Sequence, residues 1–356
     1  MVVVIGWDIG GAHLKAARAA DGRVVDAAQI ASPLRLGLDP LVRAFEQATQ
    51  RMGAADRHVV TMTGELADTF PSRSEGVARL AAVADRALAP QPMLVYAGRA
   101  GLIAPEAASN HVEDVASANW HASAALVART ARTALFVDMG STTTDVVPVR
   151  DGAMAARGYT DSERLAVGEL VYTGLVRGFV MAAADRAPMA GSWTTLINEN
   201  FSNMGDVHRL LDALPDDADQ MPTADGRPKT KEASRARLAR MVGRDASDAS
   251  DAEWTTLARW FAEMQIRTVT DAVMLVMSRA GFPAGAPIVA AGIGAPVIDE
   301  VARRVGRRTL RFETLFEVAP DARIRASQCA PAAALALIAS GPDAPPQPAS
   351  TGGDRR

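Results

Sequence analysis

Two short segments of the chain combine a carboxylate with glycines and small polar residues at matching spacings. In the first, Asp8 precedes Gly10, Gly11, Ala12 and His13, and in the second, Asp138 precedes Gly140, Ser141, Thr142 and Thr143. Glycine lets backbone N–H groups approach an anion closely, and hydroxyl groups add further donors. These residue types at this spacing predict two phosphate-binding turns.

The two aspartates need a different role, because a carboxylate repels phosphate. Asp8 and Asp138 can instead hold a hydrated Mg²⁺ that bridges to the phosphate, since Mg²⁺ binds few carboxylates and keeps several waters. We therefore predict Mg²⁺ as the cofactor, with these two residues as its protein ligands and as catalytic residues. The alternative is that each aspartate only caps its turn.

The residue seven positions after each aspartate differs between the two segments: it is Lys15 in the first and Asp145 in the second. A lysine there would neutralise a leaving diphosphate, whereas a carboxylate would contact metal or water, so both are predicted catalytic residues. His13 is predicted to donate to a phosphate oxygen or to act as a base, with an ordinary surface-loop role as the alternative.

The two segments also share the elements that must position these residues. Apolar runs at residues 2–7 and 135–137 precede the aspartates, and an Asp-Gly pair follows each first aspartate after 13 residues, at Asp21-Gly22 and Asp151-Gly152. Asp-Gly between apolar runs predicts a β-hairpin, because it supplies the positive φ angles of a tight turn. An internal repeat of two strand-turn-strand units is favoured over two unrelated hairpins.

A third glycine turn, Gly292-Ile293-Gly294, follows the apolar run 287–291, and Pro296 suits the start of a helix after it. Strand, Gly-x-Gly and helix form a weak signal alone. As the third member of an ordered set, Gly292 and Gly294 are predicted to contact the phosphate-bearing ligand.

Composition limits the class of protein. The chain has 356 residues, a net charge of −3 and 48% hydrophobic residues, which suits two lobes and lacks the basic excess of a nucleic-acid binder. No apolar run approaches the ~20 residues of a membrane span, and the N-terminus is predicted to be a strand rather than a signal peptide. We expect a cytoplasmic protein with small-molecule substrates, no nucleic-acid or membrane partner and a buried Cys329.

The three glycine turns, in this order, resemble the two phosphate motifs and the adenosine motif of the actin-like ATPase superfamily, which contains acetate and sugar kinases, heat-shock chaperones and actin. DIGGAHLKAA and VDMGSTTTDVVPV are most similar to its hydantoinase/oxoprolinase branch. A narrower resemblance is to transferases of methanofuran biosynthesis in the tetrahydromethanopterin-linked one-carbon pathway. It is carried by residues 61–68, 70, 72–73, 118–122, 159–161, 163–165, 168–174, 198–199, 201–202 and 223–226.

This resemblance, over roughly residues 1–340, implies an α/β fold: a two-lobed actin-like ATPase (ribonuclease H-like) architecture with a mostly helical insertion in the second lobe. The lobes are expected at 1–133 and 134–340, with helices over about 162–279 and a disordered tail at 341–356. Ligands are expected in a cleft between the lobes, at the strand ends. Thr63, Glu65, Asn119 and Asp161 are expected to contact substrate.

The implied reaction is a transfer in which an (aminomethyl)furanmethyl diphosphate loses diphosphate and the phenol oxygen of γ-glutamyltyramine takes its place. The phosphate turns alone fit an ATP-dependent small-molecule kinase or hydantoinase/oxoprolinase-type ATPase equally well. A chaperone-like or filament-forming ATPase is a further alternative. The sequence leaves open a homo-oligomeric state, ATP binding, the base for the phenol and the number of glutamates on the nucleophile.

Overall fold

The computed structural model describes residues 2–215 and 217–341, and residues 342–356 of the predicted tail lie outside this part of the chain. The described residues form two compact units. The first contains the residues up to Leu126 together with those from Glu313 onward, and the second runs from Val127 to Phe312. This division differs from the predicted boundaries at 133 and 340, because the C-terminal helices pack on the first sheet.

The first unit begins with a run of strands and helices, and the last helix of this run, α4, continues into the second unit. These elements are β1 (Val3–Ile9), β2 (His13–Ala20), β3 (Arg23–Ala31), α1 (Asp39–Met52), β4 (Arg57–Met62), α2 (Arg73–Leu88), β5 (Met93–Tyr96), β6 (Leu102–Ile103), α3 (Val112–Val115) and α4 (Asn119–Ala131).

The second unit contains further strands and helices, and two helices of the first unit follow it. The second unit's elements are β7 (Ala134–Met139), β8 (Thr144–Arg150), β9 (Ala153–Met154), α5 (Asp161–Ala166), β10 (Leu170–Val171), α6 (Val180–Ala183), β11 (Arg186–Met189), β12 (Ser192–Thr195), α7 (Met204–Leu210), α8 (Lys231–Met241), α9 (Asp251–Met277), β13 (Ile288–Ala291), α10 (Ala295–Arg304) and β14 (Thr309–Arg311). The following helices are α11 (Arg323–Gln328) and α12 (Ala330–Ser340). Short 3-10 turns lie at Leu34–Leu36, Gly98–Ala100, Pro105–Asn110, Ala246–Asp248, Phe312–Thr314 and Pro320–Ala322.

In its described part, the first unit holds a six-stranded sheet in the order β3-β2-β1-β4-β5-β6. The strands β1, β2 and β3 form an antiparallel meander, and β4 and β5 run parallel to β1. The predicted Asp-Gly turn joins β2 to β3, with φ of 50° at Asp21 and 76° at Gly22. Because only glycine and short polar residues adopt such angles readily, these two residues set where the meander reverses.

Helices cover both faces of this sheet. Ile5, Trp7 and Ile9 belong to a buried cluster with residues of α1 and α2, whereas Val4 packs with Leu335 of α12 on the opposite face. This alternation is the period of two that a strand buried on both faces requires. Buried Cys329 lies just before α12, as the sequence predicted, and its thiol approaches the carbonyl oxygen of Ala28 at 3.5 Å.

The sheet of the second unit repeats the arrangement of the first. Among the described strands its order is β10-β8-β7-β13-β14, with β9 beside β8; β7 and β8 are antiparallel, and β13 runs parallel to β7. The predicted Asp-Gly turn again follows the second strand, with φ of 54° at Asp151 and 84° at Gly152. The internal repeat is therefore a structural repeat.

The segment 162–279 contains most of α5 and all of α6 to α9, but only about half of its described residues are helical, fewer than predicted, and it also contains the small β11–β12 sheet. Its helices have their own core, which includes Val207 of α7, Leu238 of α8 and Phe261 of α9. Over the described residues, no helix combines the length and the apolar character needed to cross a bilayer.

The close approach of α12 to β1 generates a stability prediction. A Cβ atom on Gly6 would collide with the backbone of Ala332 and Ala336. We expect Gly6→Ala to lower the free energy of unfolding by about 1–3 kcal/mol, the usual cost of forcing an extra carbon into a packed core. Urea denaturation measures the change.

Gly285→Ala is the matched control, because that glycine is exposed and its added Cβ would meet nothing within 4 Å. It should leave the stability unchanged or slightly higher. Equal stability of the two variants would contradict the packing described for Gly6.

Candidate functional site

The first predicted turn is a closed hairpin tip at the carboxyl end of β1. The N–H of Gly10 donates to the carbonyl oxygen of His13 at 2.9 Å, and the register pairs Asp8 with Lys15. Residues paired in this way project from the same face of a sheet. The Lys15 ammonium lies 3.9 Å from Asp8 Oδ2, and the aspartate side chain is only 3% exposed. A buried carboxylate and a partly exposed cation thus stand side by side below the tip.

Backbone hydrogen bonds from two loops hold this tip in place. The N–H groups of Ser32 and Leu34 donate to the carbonyl oxygens of Ala12 and Gly11, at 2.8 and 3.0 Å. The N–H groups of Thr63 and Gly64 both donate to the carbonyl oxygen of Ile9. Because these hydrogen bonds fix the carbonyl oxygens of the turn, the backbone of the tip has a fixed shape.

The predicted substrate residues of the first unit fall in different surroundings. Thr63 lies beside the tip, with its Oγ1 3.7 Å from the position that a Cβ on Gly10 would take. Glu65 is buried and accepts a hydrogen bond from Ser117 Oγ at 2.9 Å. Asn119 begins α4, where its Oδ1 accepts from the N–H of Trp120 at 2.7 Å. The structure brings Thr63 to the tip and gives Asn119 a helix-start contact.

Two histidines near β1 are buried. His13 is 6% exposed at the start of β2. His58 accepts a hydrogen bond from Trp7 Nε1 at 3.2 Å, and burial lowers the pKa of its imidazole to about 4. His58 is therefore a neutral acceptor at neutral pH, fixing the tryptophan next to Asp8 in β1.

The second predicted turn is built in the same way. The N–H of Gly140 donates to the carbonyl oxygen of Thr143 at 2.9 Å, and the register pairs Asp138 with Asp145. The tip residues Ser141 and Thr142 are partly exposed. Both turns therefore share one backbone construction, and they differ in the side chain opposite the first aspartate.

The third predicted turn lies directly against this second tip. β13 runs beside β7 with Ala291 opposite Asp138, and the N–H of Gly294 donates to the carbonyl oxygen of Met139 at 2.9 Å. Gly292 has φ of 83°, and a Cβ there would collide with the Asp138 carboxylate. In the first unit, the N–H of Gly64 donates in the same way to the carbonyl oxygen of Ile9. The sequence did not predict this contact, although a glycine follows β4 just as one follows β13.

Asp145 forms an ion pair that the sequence did not predict. Its Oδ1 accepts from Arg164 Nη2 at 2.7 Å, and the arginine side chain is 2% exposed. Arg164 also donates to the carbonyl oxygen of Glu169, whose buried side chain accepts N–H groups from Arg157 and Gly158 and pairs with Arg279. The contact gives Asp145 a structural partner, and its predicted metal or water contact stays a prediction.

Asp161 is the first residue of α5, which starts with a capping box. The Thr160 hydroxyl accepts from the N–H of Glu163, and the Glu163 carboxylate accepts from the N–H of Thr160 at 3.1 Å. A carboxylate in the first turn is favourable there because of the positive end of the helix dipole. The helix dipole accounts for an acidic residue at 161, and the substrate contact of Asp161 stays a prediction.

The donors available for a metal are oxygen atoms at the strand ends. Among the described residues, no group of three His, Cys, Asp or Glu side chains is arranged to hold a metal ion. Single carboxylates such as Asp8 and Asp138 suit Mg²⁺, which takes its remaining ligands from water and substrate phosphate.

The topology of each unit and the similarity to a solved structure define the fold. The solved nucleotide-free structure of acetone carboxylase superposes with a TM-score of 0.57 at 11% identity, covering 94% of this chain and 70% of that chain. Together with the repeated β-meander and parallel strands, this confirms the predicted actin-like ATPase fold.

The sequence comparisons then give the family. The profile of the hydantoinase/oxoprolinase family matches residues 56–319, and the chain belongs to that family. It is similar to the (4-{4-[2-(γ-L-glutamylamino)ethyl]phenoxymethyl}furan-2-yl)methanamine synthase of Methanocaldococcus jannaschii, with 27% identity over 300 residues, 84% of this chain and 88% of the relative. The Methanococcus vannielii synthase of the same name is 30% identical over 166 residues, 47% of this chain and 73% of the relative.

The Asp145–Arg164 pair generates a second prediction. Arg164→Met should lower the free energy of unfolding by about 3 kcal/mol, because it leaves a mostly buried carboxylate without its cation. Adding Asp145→Asn should recover part of the loss. Urea denaturation of the two single variants and the double variant gives the coupling energy.

Arg303→Met is the control, because Arg303 is exposed and pairs with Glu300 at the surface. It should cost less than ~1 kcal/mol. Strictly additive effects of Arg164→Met and Asp145→Asn would show that the two side chains do not stabilise one another.

Proposed function

We propose that this chain is an enzyme that joins an (aminomethyl)furanmethyl diphosphate to γ-glutamyltyramine, forming an aryl ether and releasing diphosphate in methanofuran biosynthesis. The observation that carries the proposal is the similarity over 300 residues to a synthase whose name describes this ether. The two closed hairpin tips support it, because each combines backbone turns suited to phosphate with a carboxylate at a strand end.

The reaction exchanges one carbon–oxygen bond for another. The bond between the furanmethyl carbon and the diphosphate oxygen breaks, and its electron pair leaves with the diphosphate. The phenol oxygen forms the new bond to that carbon, and the phenol proton passes to a base or to water. The electron-rich furan ring stabilises positive charge on the carbon as the diphosphate leaves.

The residues of the first hairpin suit the leaving group. Negative charge accumulates on diphosphate as it departs, and fixed positive groups stabilise that charge. Lys15 supplies an ammonium group, positioned by its contact with Asp8. A Mg²⁺ held by Asp8 in the first unit, or by Asp138 in the second, would supply further charge neutralisation when bound. Gly10, Gly11 and Ala12 supply the backbone of the tip, and we propose the tip residues 140–143 for the same role in the second unit.

The substrate contacts are assigned by position. Thr63 is proposed to contact substrate beside the first tip, since its hydroxyl lies next to Gly10. His13 is proposed as a donor to phosphate or as the base for the phenol, whose pKa near 10 leaves only a small ionised fraction at neutral pH.

Substitution of the aspartates tests these roles. Asp8→Asn and Asp138→Asn keep the side-chain volume but remove the charge that binds metal, so each should lower turnover by about a hundredfold or more. Lys15→Met should lower it by about ten- to a hundredfold, the value of one charge-assisted contact. Steady-state rates measure the changes, and melting temperatures check the fold.

Asp26→Asn is the control, because Asp26 is a partly exposed residue of the same sheet that pairs with Arg51. It should keep wild-type turnover. An Asp8 or Asp138 variant with nearly full activity would remove that aspartate from the mechanism.

The reaction itself is tested by reconstitution. Purified protein, Mg²⁺, the furanmethyl diphosphate and γ-glutamyltyramine should give the ether and stoichiometric diphosphate, detected by mass spectrometry, without ATP. Removal of Mg²⁺ with a chelator should stop the reaction. Ether that forms only when ATP is added, or ATP hydrolysis without ether, would replace this proposal with an ATP-dependent kinase or hydantoinase-type function.

A further inference from the structure

The second hairpin lacks the positive charge that the first hairpin has opposite its aspartate. In the first, a lysine stands opposite Asp8, whereas in the second the paired positions Asp138 and Asp145 are both carboxylates. Buried Arg164 pairs with Asp145 and is also held by the carbonyl oxygen of Glu169. Because the Arg164 guanidinium already pairs with Asp145 of β8, a phosphate at the second tip needs a positive charge from another element.

The segment 173–177 crosses the second tip and brings such a charge. The N–H of Leu175 donates to the carbonyl oxygen of Gly140 at 3.0 Å, and those of Val176 and Arg177 donate to the carbonyl oxygen of Ser141 at 3.1 and 2.8 Å. A Cβ on Gly174 would lie 2.5 Å from the backbone nitrogen of Thr142. The segment therefore lies in direct backbone contact with the tip.

Two buried polar side chains, Gln265 and His208, are hydrogen-bonded in series and hold this segment in place. Gln265 of α9 donates to the Thr173 hydroxyl at 3.0 Å and to the carbonyl oxygen of Gly174 at 2.8 Å. Its own carbonyl oxygen lies 2.8 Å from His208 Nε2, and burial lowers the pKa of His208. A proton on His208 Nε2 can be donated to this oxygen and so orient the amide of Gln265, which in turn orients the segment.

The side chain of Arg177 reaches the hydroxyl side of the tip. Its Nη1 donates to Thr142 Oγ1 at 3.3 Å, and the residue is exposed. When the hydroxyl oxygen accepts this bond, the hydroxyl proton can still be donated, and the guanidinium group carries five N–H donors in a planar fork. A guanidinium group beside a hydroxyl on a glycine turn is well suited to phosphate oxygens.

We infer that Arg177 is a phosphate-binding residue of the second hairpin and supplies, from a separate segment, the positive charge that Lys15 supplies on the strand of the first. The ligand is a diphosphate group. The inference rests on the proposed function, because it names a further contact to the group that this function releases.

Calorimetric titration with pyrophosphate and Mg²⁺ tests the inference. Relative to the wild-type protein, Arg177→Ala should bind pyrophosphate about ten- to a hundredfold more weakly, the loss expected for one charge-assisted contact. Arg177→Lys keeps the positive charge but lacks the planar set of guanidinium N–H donors, so it should bind pyrophosphate with intermediate affinity. The ligand-free melting temperature of both variants should match the wild type, because the backbone bond to Ser141 remains.

Arg267→Ala is the matched control, since Arg267 is an exposed arginine of the same unit that pairs with Asp271. It should bind pyrophosphate as the wild type does. Wild-type affinity in Arg177→Ala, with pyrophosphate binding intact in the unchanged protein, would overturn this inference alone. A wild-type protein that binds no pyrophosphate would overturn the proposed function and this inference with it.

Discussion

Each hairpin depends on one local backbone hydrogen bond, from the glycine that opens the turn to the carbonyl oxygen three residues later. It is 2.9 Å long in both units, from Gly10 to His13 and from Gly140 to Thr143. This bond closes the tip and so fixes the strand register. A slip of one residue would turn every side chain of the strand to the opposite face, so the position of each strand-end aspartate depends on it.

A second backbone contact ties each hairpin to its parallel neighbour. Gly64 donates to the carbonyl oxygen of Ile9 in the first unit, and Gly294 donates to that of Met139 in the second. The sequences around these glycines are unrelated, but the geometry is shared because both lie at the carboxyl end of a strand parallel to the first strand of the hairpin. The two units therefore share one backbone frame, while their side chains differ.

The two units differ most clearly in which residue balances the negative charge of the hairpin carboxylates. In the first unit Asp8 and Lys15 are cross-strand neighbours on one hairpin. In the second unit the position of the lysine holds Asp145, and the balancing cation comes from α5, through buried Arg164. Strand-end carboxylates remain in both units, which fits a common role toward a cation, while the surrounding positive charge is supplied by different elements.

The sequence by itself determined the local features of this protein. Both Asp-Gly turns and both hairpin tips could be predicted, because a turn is set by the φ preferences of a few adjacent residues. The matching spacing of the two aspartates then gave the internal repeat and, with the glycine turn at Gly292, the resemblance that led to the fold.

Only the tertiary structure decided which distant residues meet. Arg164 reaches Asp145, Ser117 reaches Glu65, and segment 173–177 lies on the second tip. The packing of α12 against Gly6 likewise placed the C-terminal helices with the first unit, against the boundary that the sequence predicted. These contacts join residues that are far apart along the chain, because they depend on how strands and helices pack in space. No short stretch of sequence carries a signal for that packing.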